Sequence, residues 1–511
     1  MKTKVILAIL IVLSMLITSV GFADDGALFV KNVSGTPDQE TERANLNQMN
    51  FYVPMQNANG RILVEGDTAT IYRIDYMADD ATWTEWEDGS PRYYAKPLVA
   101  VYIDESAEVH LGSGGAGLGA HDAYASVSLD DGHTWNATNL SHSSHLSSFT
   151  LENGEPFPGD AHNMTFALAD DKVLVGWISR YCNDGAPLYR FQDEDIVALQ
   201  TAYGLPDLYV HDIWGVNGSQ GSVDFADQGF PEVGEIPYSC VWAARGQLLP
   251  VTLSPESDPH DGYEIVWLEA ERLTSGTRDA NRLEMNGDKA AGFMMTWQED
   301  PEGLRPGLGL GPGEGWSGAI VHQDTDLWYS FISMDHFDLV VDSGETPLLT
   351  AGIPLGEYIA DETYATKPQI AVPMAVPMRL TDNAKCMGNG NSPAYCYINF
   401  DDENPWLTDL GATDGALPEF AQSPDSTFCT THALWPTPGG SSIDVCTAED
   451  GRVMNGRVGA SRPRVNVQPY NSLFVEDETD DDTWYDGGIV VMGAEESKAL
   501  GAADLDLEDI E

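Results

Sequence analysis

The sequence predicts an all-β chain with long loop insertions, and three observations carry that expectation. Helical periodicity is almost absent from the 511 residues; the one tempting stretch, Asp193 to Thr201, is short. Short runs rich in β-branched and aromatic residues recur at fairly regular spacing. Between them lie clusters of Gly, Pro, Asp and Asn, and 50 Gly with 29 Pro suit many turns and long loops. Many short strands of this kind build sandwiches, barrels or propellers.

Taken in order, the expected strands begin with a short run near Ala27 to Val30, then Ala69 to Tyr76 and Leu98 to Ile103. The alternating Ala123 to Val127 follows, then Met164 to Leu168, Val173 to Ile178, Tyr238 to Ala243 and Tyr263 to Leu268. Gly292 to Trp297, Leu327 to Met334 and Ile489 to Met492 complete the series. The stretches Asn217 to Glu235 and Gly303 to Gly318 read as insertions that project from strand ends. Either the run near Ala27 pairs with the one at Ile489 to close a ring, or the chain is a fragment of something longer.

Residues 1–23 carry Lys2 and Lys4, an apolar run from Val5 through Val20, and Gly21-Phe22-Ala23 before Asp24-Asp25. That order predicts a secretory signal peptide, leaving residues 24–511 outside the cytoplasm, whether extracellular, at the cell surface or periplasmic. The mature chain is expected to hold no transmembrane span, because no later stretch is long and apolar enough. Acidic residues number 81 against 25 basic ones, a net charge of −56, and nucleic acid is excluded as a partner on electrostatic grounds. The acidity runs along the whole chain, which favours halophilic adaptation over a dedicated acidic tail. Scattered Ca²⁺ sites are the second reading, and no cofactor is required.

Six cysteines, Cys182, Cys240, Cys386, Cys396, Cys429 and Cys446, form no C-x-x-C pair. An even count in an exported chain points to three disulfides rather than zinc. Fifteen pairings are formally open. Proximity favours Cys386 with Cys396 and Cys429 with Cys446, leaving Cys182 with Cys240.

Ser128-Leu129-Asp130-Asp131-Gly132-His133-Thr134-Trp135 reads S-x-D-x-G-x-T-W directly after the alternating run. It resembles an Asp-box, a hairpin turn in which Ser128 and Asp130 open the motif, Asp130 caps turn N–H groups, Gly132 takes a positive φ, and Thr134 and Trp135 close it. The resemblance implies the sialidase-like β-propeller family, with six blades favoured. Tyr72-Arg73-Ile74-Asp75 is similar to the Y/F-R-I-P signature of that family, with Asp in place of Pro. The likeness implies that Arg73 is the first of three arginines clamping a substrate carboxylate. Asp122 is then the positional candidate for the acid/base. Ser126 and Val127 stand where an arginine pair commonly precedes the box. The competing reading gives Arg73 and Asp122 surface or turn roles.

Glu299 lies in Thr296-Trp-Gln-Glu-Asp-Pro-Glu-Gly303, at a strand end before a Gly/Pro-rich loop, where a general acid or Ca²⁺ ligand could stand; a capped acidic turn is the alternative. Trp297, Trp316 and Trp328 nearby could serve a sugar-binding face or fill a core. His110, His121, His133, His142, His145 and His162 crowd around the box, and His142-x-x-His145 has metal-ligand spacing, yet H-E-x-x-H is absent. Solvated loop histidines are the expectation. Gly112 to Gly117 matches G-x-G-x-x-G but precedes no helix, so it is no dinucleotide fingerprint.

Four phrases, Gly159 to Asn163, Glu232 to Gly246, Glu271 to Asp279 and Thr296 to Gly307, are similar to the choice-of-anchor group of secreted prokaryotic proteins of undefined role. That likeness implies a body joined to a C-terminal surface anchor, whereas this sequence finishes in acidic residues at Asp504 to Glu511. The expected function is a surface-associated or ligand-binding protein, with a carbohydrate or cell-surface component as partner. The alternative is an exo-acting glycoside hydrolase using Asp122, Arg73 and Glu299. A metal-dependent redox role, resting on the histidines alone, ranks last.

Overall fold

A computed structural model describes residues 32–64, 84–85, 91–92, 94–110, 117–151, 153–185, 221–224, 235–251, 262–276, 278–300, 325–342, 351–360, 369–381, 431–436, 442–447, 454–475 and 483–500. The chain divides into a short unit ending at Pro37 and a large one beginning at Asp38. In the short unit Asn32 Oδ1 caps a turn, accepting from Ser34 Oγ at 2.9 Å and Gly35 N at 3.1 Å. The large unit is nearly all β. One helix occurs among the described residues, α1 at Leu355–Ala360, too short to leave a periodic signal.

Three antiparallel sheets follow one another along the chain. The first is built from β1 (Thr41–Gln48), β2 (Leu98–His110), β3 (Gly117–Ser128) and β4 (Asn136–Asn139), in that order. The second has β5 (Ala161–Ala169), β6 (Lys172–Ser179), β7 (Cys240–Val251) and β8 (Gly262–Trp267) in spatial order β8-β7-β6-β5, with β9 (Glu271–Arg272) also pairing β7. The third runs β10 (Asp279–Asp288), β11 (Gly292–Asp300), β12 (Asp326–Ile332) and β13 (Met378–Arg379). Sequence-expected strands from Leu98 to Met334 overlap these elements, though the runs at Tyr238, Tyr263 and Leu327 overshoot the strand ends by one or two residues. The runs at Ala27 and Ala69, and the helical stretch at Asp193, lie outside the described residues.

The second sheet is buried on both faces, and the two-residue period of its strands divides its side chains between two cores. On β6, Val173, Val175 and Trp177 point to the first sheet and meet Val99, Val101, Ile103, Ala123 and Ala125. Leu174 and Ile178 point the other way, to Leu283, Met285, Phe293, Met295 and Trp297 of the third sheet. Every residue of β6 is buried, so it reads as a continuous apolar run rather than an alternating one. Trp177 is 1 % exposed, and truncating a side chain of that size costs about 3–5 kcal/mol.

A disulfide joins Cys182, just past β6, to Cys240 at the start of β7, 58 positions further along the sequence. Closing a loop of that length stabilises by about 4 kcal/mol in the chain-entropy view. The other expected pairings involve Cys386, Cys396 and Cys429, which lie outside the described residues. A buried ion pair, Arg245 with Glu271 at 3.5 Å, joins β7 and β9 within the second sheet and anchors them to the segment between β12 and β13. Its remaining bonds run from Arg245 to the Phe337 and Val372 carbonyls, and from Met374 N to Glu271.

The Ile489 to Met492 run pairs with Val465 to Gln468 in a long hairpin, β14 (Met454–Val475) with β15 (Thr483–Leu500). It therefore has a partner late in the chain, and the expected partner near Ala27 lies outside the described residues. The hairpin meets the third sheet where Ala460 N donates to the Thr325 carbonyl at 2.8 Å and Arg464 pairs with Glu284. No helix among the described residues is long and apolar enough to cross a membrane.

Candidate functional site

The turn joining β3 to β4 is held by its own side chains. Ser128 Oγ accepts from Gly132 N at 2.8 Å and donates to Asp130 Oδ1 at 3.0 Å. Asp130 Oδ1 accepts from Thr134 N at 2.8 Å, and Oδ2 from Thr134 Oγ1 at 2.7 Å. Trp135 folds back so that its indole N–H donates to the Gly132 carbonyl at 3.0 Å. Gly132 sits at φ +82°, preceded by Asp131 at +58°, where Asp is among the side chains that tolerate a left-handed backbone. Asp130 is 1 % exposed, so this carboxylate orders a turn rather than facing solvent.

Thr134 extends the network outward. Its hydroxyl also accepts from Ala58 N at 2.7 Å, docking the Asn57–Gly60 turn on the hairpin. That turn closes through Asn57 N to the Arg61 carbonyl and through Asn57 Oδ1, which accepts from Asn59 N and Arg61 N at 3.0 Å each. Gln56, buried, bridges to the second sheet: its amide donates to the Tyr263 carbonyl at 2.5 Å and accepts from Tyr263 N at 2.8 Å, as a strand would. Between the hairpin, this turn and β8 lies a half-open cleft of about 370 Å³. Val127, Leu129, Asn136 and Thr138 form one wall and Tyr263, Ile265 and Trp267 the other.

Asp122, on β3, lies inside the loop that follows β4. Its Oδ1 accepts from Ser141 Oγ at 2.6 Å, Ser143 N at 2.7 Å and Ser144 N at 2.9 Å. Its Oδ2 accepts from Ser144 Oγ at 2.7 Å and Asn139 Nδ2 at 3.0 Å. Burial alone would raise its pKa; the hydrogen bonds from Ser141, Ser144 and Asn139 outweigh burial and hold it below the ordinary value. A carboxylate so placed stays charged, whereas a general acid near neutral pH needs its pKa raised.

Next to it, His121 Nδ1 meets Asp160 Oδ1 at 2.8 Å, and His121 N donates to the same oxygen at 2.9 Å. The bond to Asp160 raises the His121 pKa despite burial, and Nε2 is buried with no hydrogen-bond partner. His162, two residues past Asp160, behaves oppositely: burial, aided by the Arg180 charge, pushes it down to about 4. His142 and His145 are exposed on the loop that Asp122 clasps. Among the described residues no group of three or more His, Cys, Asp or Glu could hold a metal ion.

Glu299, on β11, is 2 % exposed. Its Oε2 accepts from Arg278 Nε at 2.6 Å and its Oε1 from the Trp297 indole at 2.8 Å, while the Arg278 guanidinium lies 4.8 Å over the Trp328 ring. Trp297 and Trp328 face each other across β11 and β12 in the core, not on loops. Asp122 and Glu299 belong to the first and third sheets, with the second between them, so they do not share a site. Arg73 lies outside the described residues. The cleft was missed at the sequence level because its walls come from three distant segments; Asn57-Ala-Asn-Gly60, a turn by composition, was its one local signal.

No family model matches the chain, and no curated protein matches it. Among solved structures it shows likeness to Trypanosoma rangeli sialidase with the inhibitor DANA, at 12 % identity over 57 % of this chain and 34 % of that one, TM-score 0.22. The same sialidase without a named ligand aligns at 11 % identity over 50 % and 32 %, TM-score 0.22. With sialic acid it aligns at 11 % over 58 % and 34 %, TM-score 0.23. The chain thus spans about a third of the length of these solved chains.

Proposed function

We propose that this chain is an exported Asp-box β-propeller of six blades that binds a ligand rather than transforming one. The propeller is supported by consecutive antiparallel sheets of four or five strands stacked face to face in chain order, the arrangement that radial repetition produces. The Asp-box reading is supported by the Ser128, Asp130, Gly132 and Trp135 bonds of the β3–β4 turn. Export rests on the leader-like residues 1–23, and saline adaptation on the net charge of −56.

One observation carries the binding reading. The described acid/base candidates, Asp122 and Glu299, have both oxygens of each carboxylate engaged in structural hydrogen bonds, while the side chains of Asn59, Asn136 and Thr138 on the cleft make no hydrogen bond with any described residue. The test is hydrolysis of a panel of fluorogenic glycosides, sialosides included, in high salt with Ca²⁺, beside Asp122→Asn and Arg73→Ala. No turnover by a folded protein is expected. Turnover lost in both variants, each still folded, would replace this reading with an exo-acting glycoside hydrolase.

A further inference from the structure

We infer that the cleft between the β3–β4 hairpin and β8 binds a neutral saccharide. The inference rests on the binding reading and assigns it a place and a ligand class. The cleft lies between two edge strands, β4 of the first sheet and β8 of the second, and its volume falls at the low end of the roughly 300–1,000 Å³ typical of small-molecule sites.

Its frame is rigid and already satisfied. Gln56, Asn57 and Thr134 spend their hydrogen bonds fixing the walls to one another. The side chains of Asn59, Asn136, Thr138, Tyr263, Glu264 and Trp267, by contrast, make no hydrogen bond with any described residue. Trp267 is positioned from beneath: it pairs with Gly246, where an added Cβ would lie 2.8 Å and 2.9 Å from Cε3 and Cζ3 of its ring. Only glycine there lets the indole lie against the strand.

The chemistry of that lining selects the ligand. Amides and hydroxyls each donate and accept, which suits the alternating demands of sugar hydroxyls. Aromatic faces such as Trp267 and Tyr263 receive the apolar C–H face of a pyranose while their polar tips stay available. The one charged group among the described lining residues is the exposed carboxylate of Glu264. With −56 on the whole chain, an anionic sugar finds no cation here and is repelled. A lone exposed carboxylate also falls short of the enclosed aromatic cage that a quaternary ammonium requires.

The experiment is saturation-transfer NMR on the purified protein with methyl β-galactoside, methyl α-mannoside and N-acetylglucosamine. N-acetylneuraminic acid and choline serve as comparators. At least one neutral sugar is expected to bind. Trp267→Ala should weaken it at least about tenfold and Trp267→Phe far less, as for an aromatic anchor. Thr138→Arg, at a partly exposed position that leaves the core alone, should abolish binding by filling the cleft. Neutral-sugar binding untouched by folded Trp267→Ala and Thr138→Arg would overturn the site and leave the binding reading standing. Preference for N-acetylneuraminic acid or choline would overturn the ligand class. Silence from all three neutral sugars overturns the inference, and silence across a broad glycan and protein array would overturn the binding reading itself.

Discussion

His121, on the first sheet, and His162, on the second, are pushed in opposite directions by what surrounds them. Asp160 raises the first; burial and Arg180 lower the second to about 4 from an ordinary value of 6.5. The signs have separate consequences for stability. His162 stays neutral in the fold, so as pH falls below 6.5 the unfolded chain takes the proton first and stability is lost toward pH 4. The His121–Asp160 contribution is fully present below 6.5 and disappears as pH rises through the folded value. In imidazole NMR, assigned with His121→Asn and His162→Asn, His121 should titrate above 6.5 and His162 near 4. A shared midpoint near 6.5 would mean that neither ring sits where the structure places it. None of this was readable from the histidine cluster, because spacing reveals neither the Asp160 contact nor the depth of burial. Asp122 teaches the same lesson, since its five donors come from the end of β4 and the loop after it, 17 to 22 residues further along the chain.

At the scale of elements, two glycines show how the strands constrain one another. Gly176, on β6, faces the third sheet, and a Cβ there would come within 2.7–2.8 Å of Leu283 Cδ2, Met285 Cε and Met295 Cε. Those are the ends of flexible side chains. Gly176→Ala should therefore cost about 1–3 kcal/mol, the usual cost of overpacking. Gly292 begins β11 at φ +85°, and its Cβ would collide with the backbone of Ile332 and Ser333, which cannot withdraw. Gly292→Ala should cost more than about 3 kcal/mol, combining backbone strain with a clash. Denaturant unfolding of the two variants tests the order; equal or reversed losses would contradict the β11–β12 packing. The strands themselves were legible as β-branched and aromatic runs between turns. Their lengths were not, because ends such as Ala107 to His110 and Gln247 to Val251 are stabilised by pairing across the sheet rather than by local pattern.

For the molecule as a whole, 81 acidic residues against 25 basic ones set a self-repulsion that the folded state concentrates. Raising salt shortens the screening length from about 10 Å at 0.1 M to about 3 Å at 1 M. The melting temperature should accordingly climb by several degrees between 0.1 and 2 M NaCl. A flat or falling profile would show that the acidic surface is already neutralised by bound cations or by ion pairs.

The sequence by itself determined the β-rich character, the position of most core strands and the hairpin turn at Ser128 to Trp135. Each of these depends on contacts close in sequence or on composition, which a linear pattern records. Tertiary structure decided the rest. It buried Trp297 and Trp328 in a core, turned Asp122 and Glu299 into hydrogen-bonded fasteners, and sandwiched the second sheet between the other two. It also opened a cleft whose walls begin at Gln56, Val127 and Tyr263, residues that only folding brings within reach of one another.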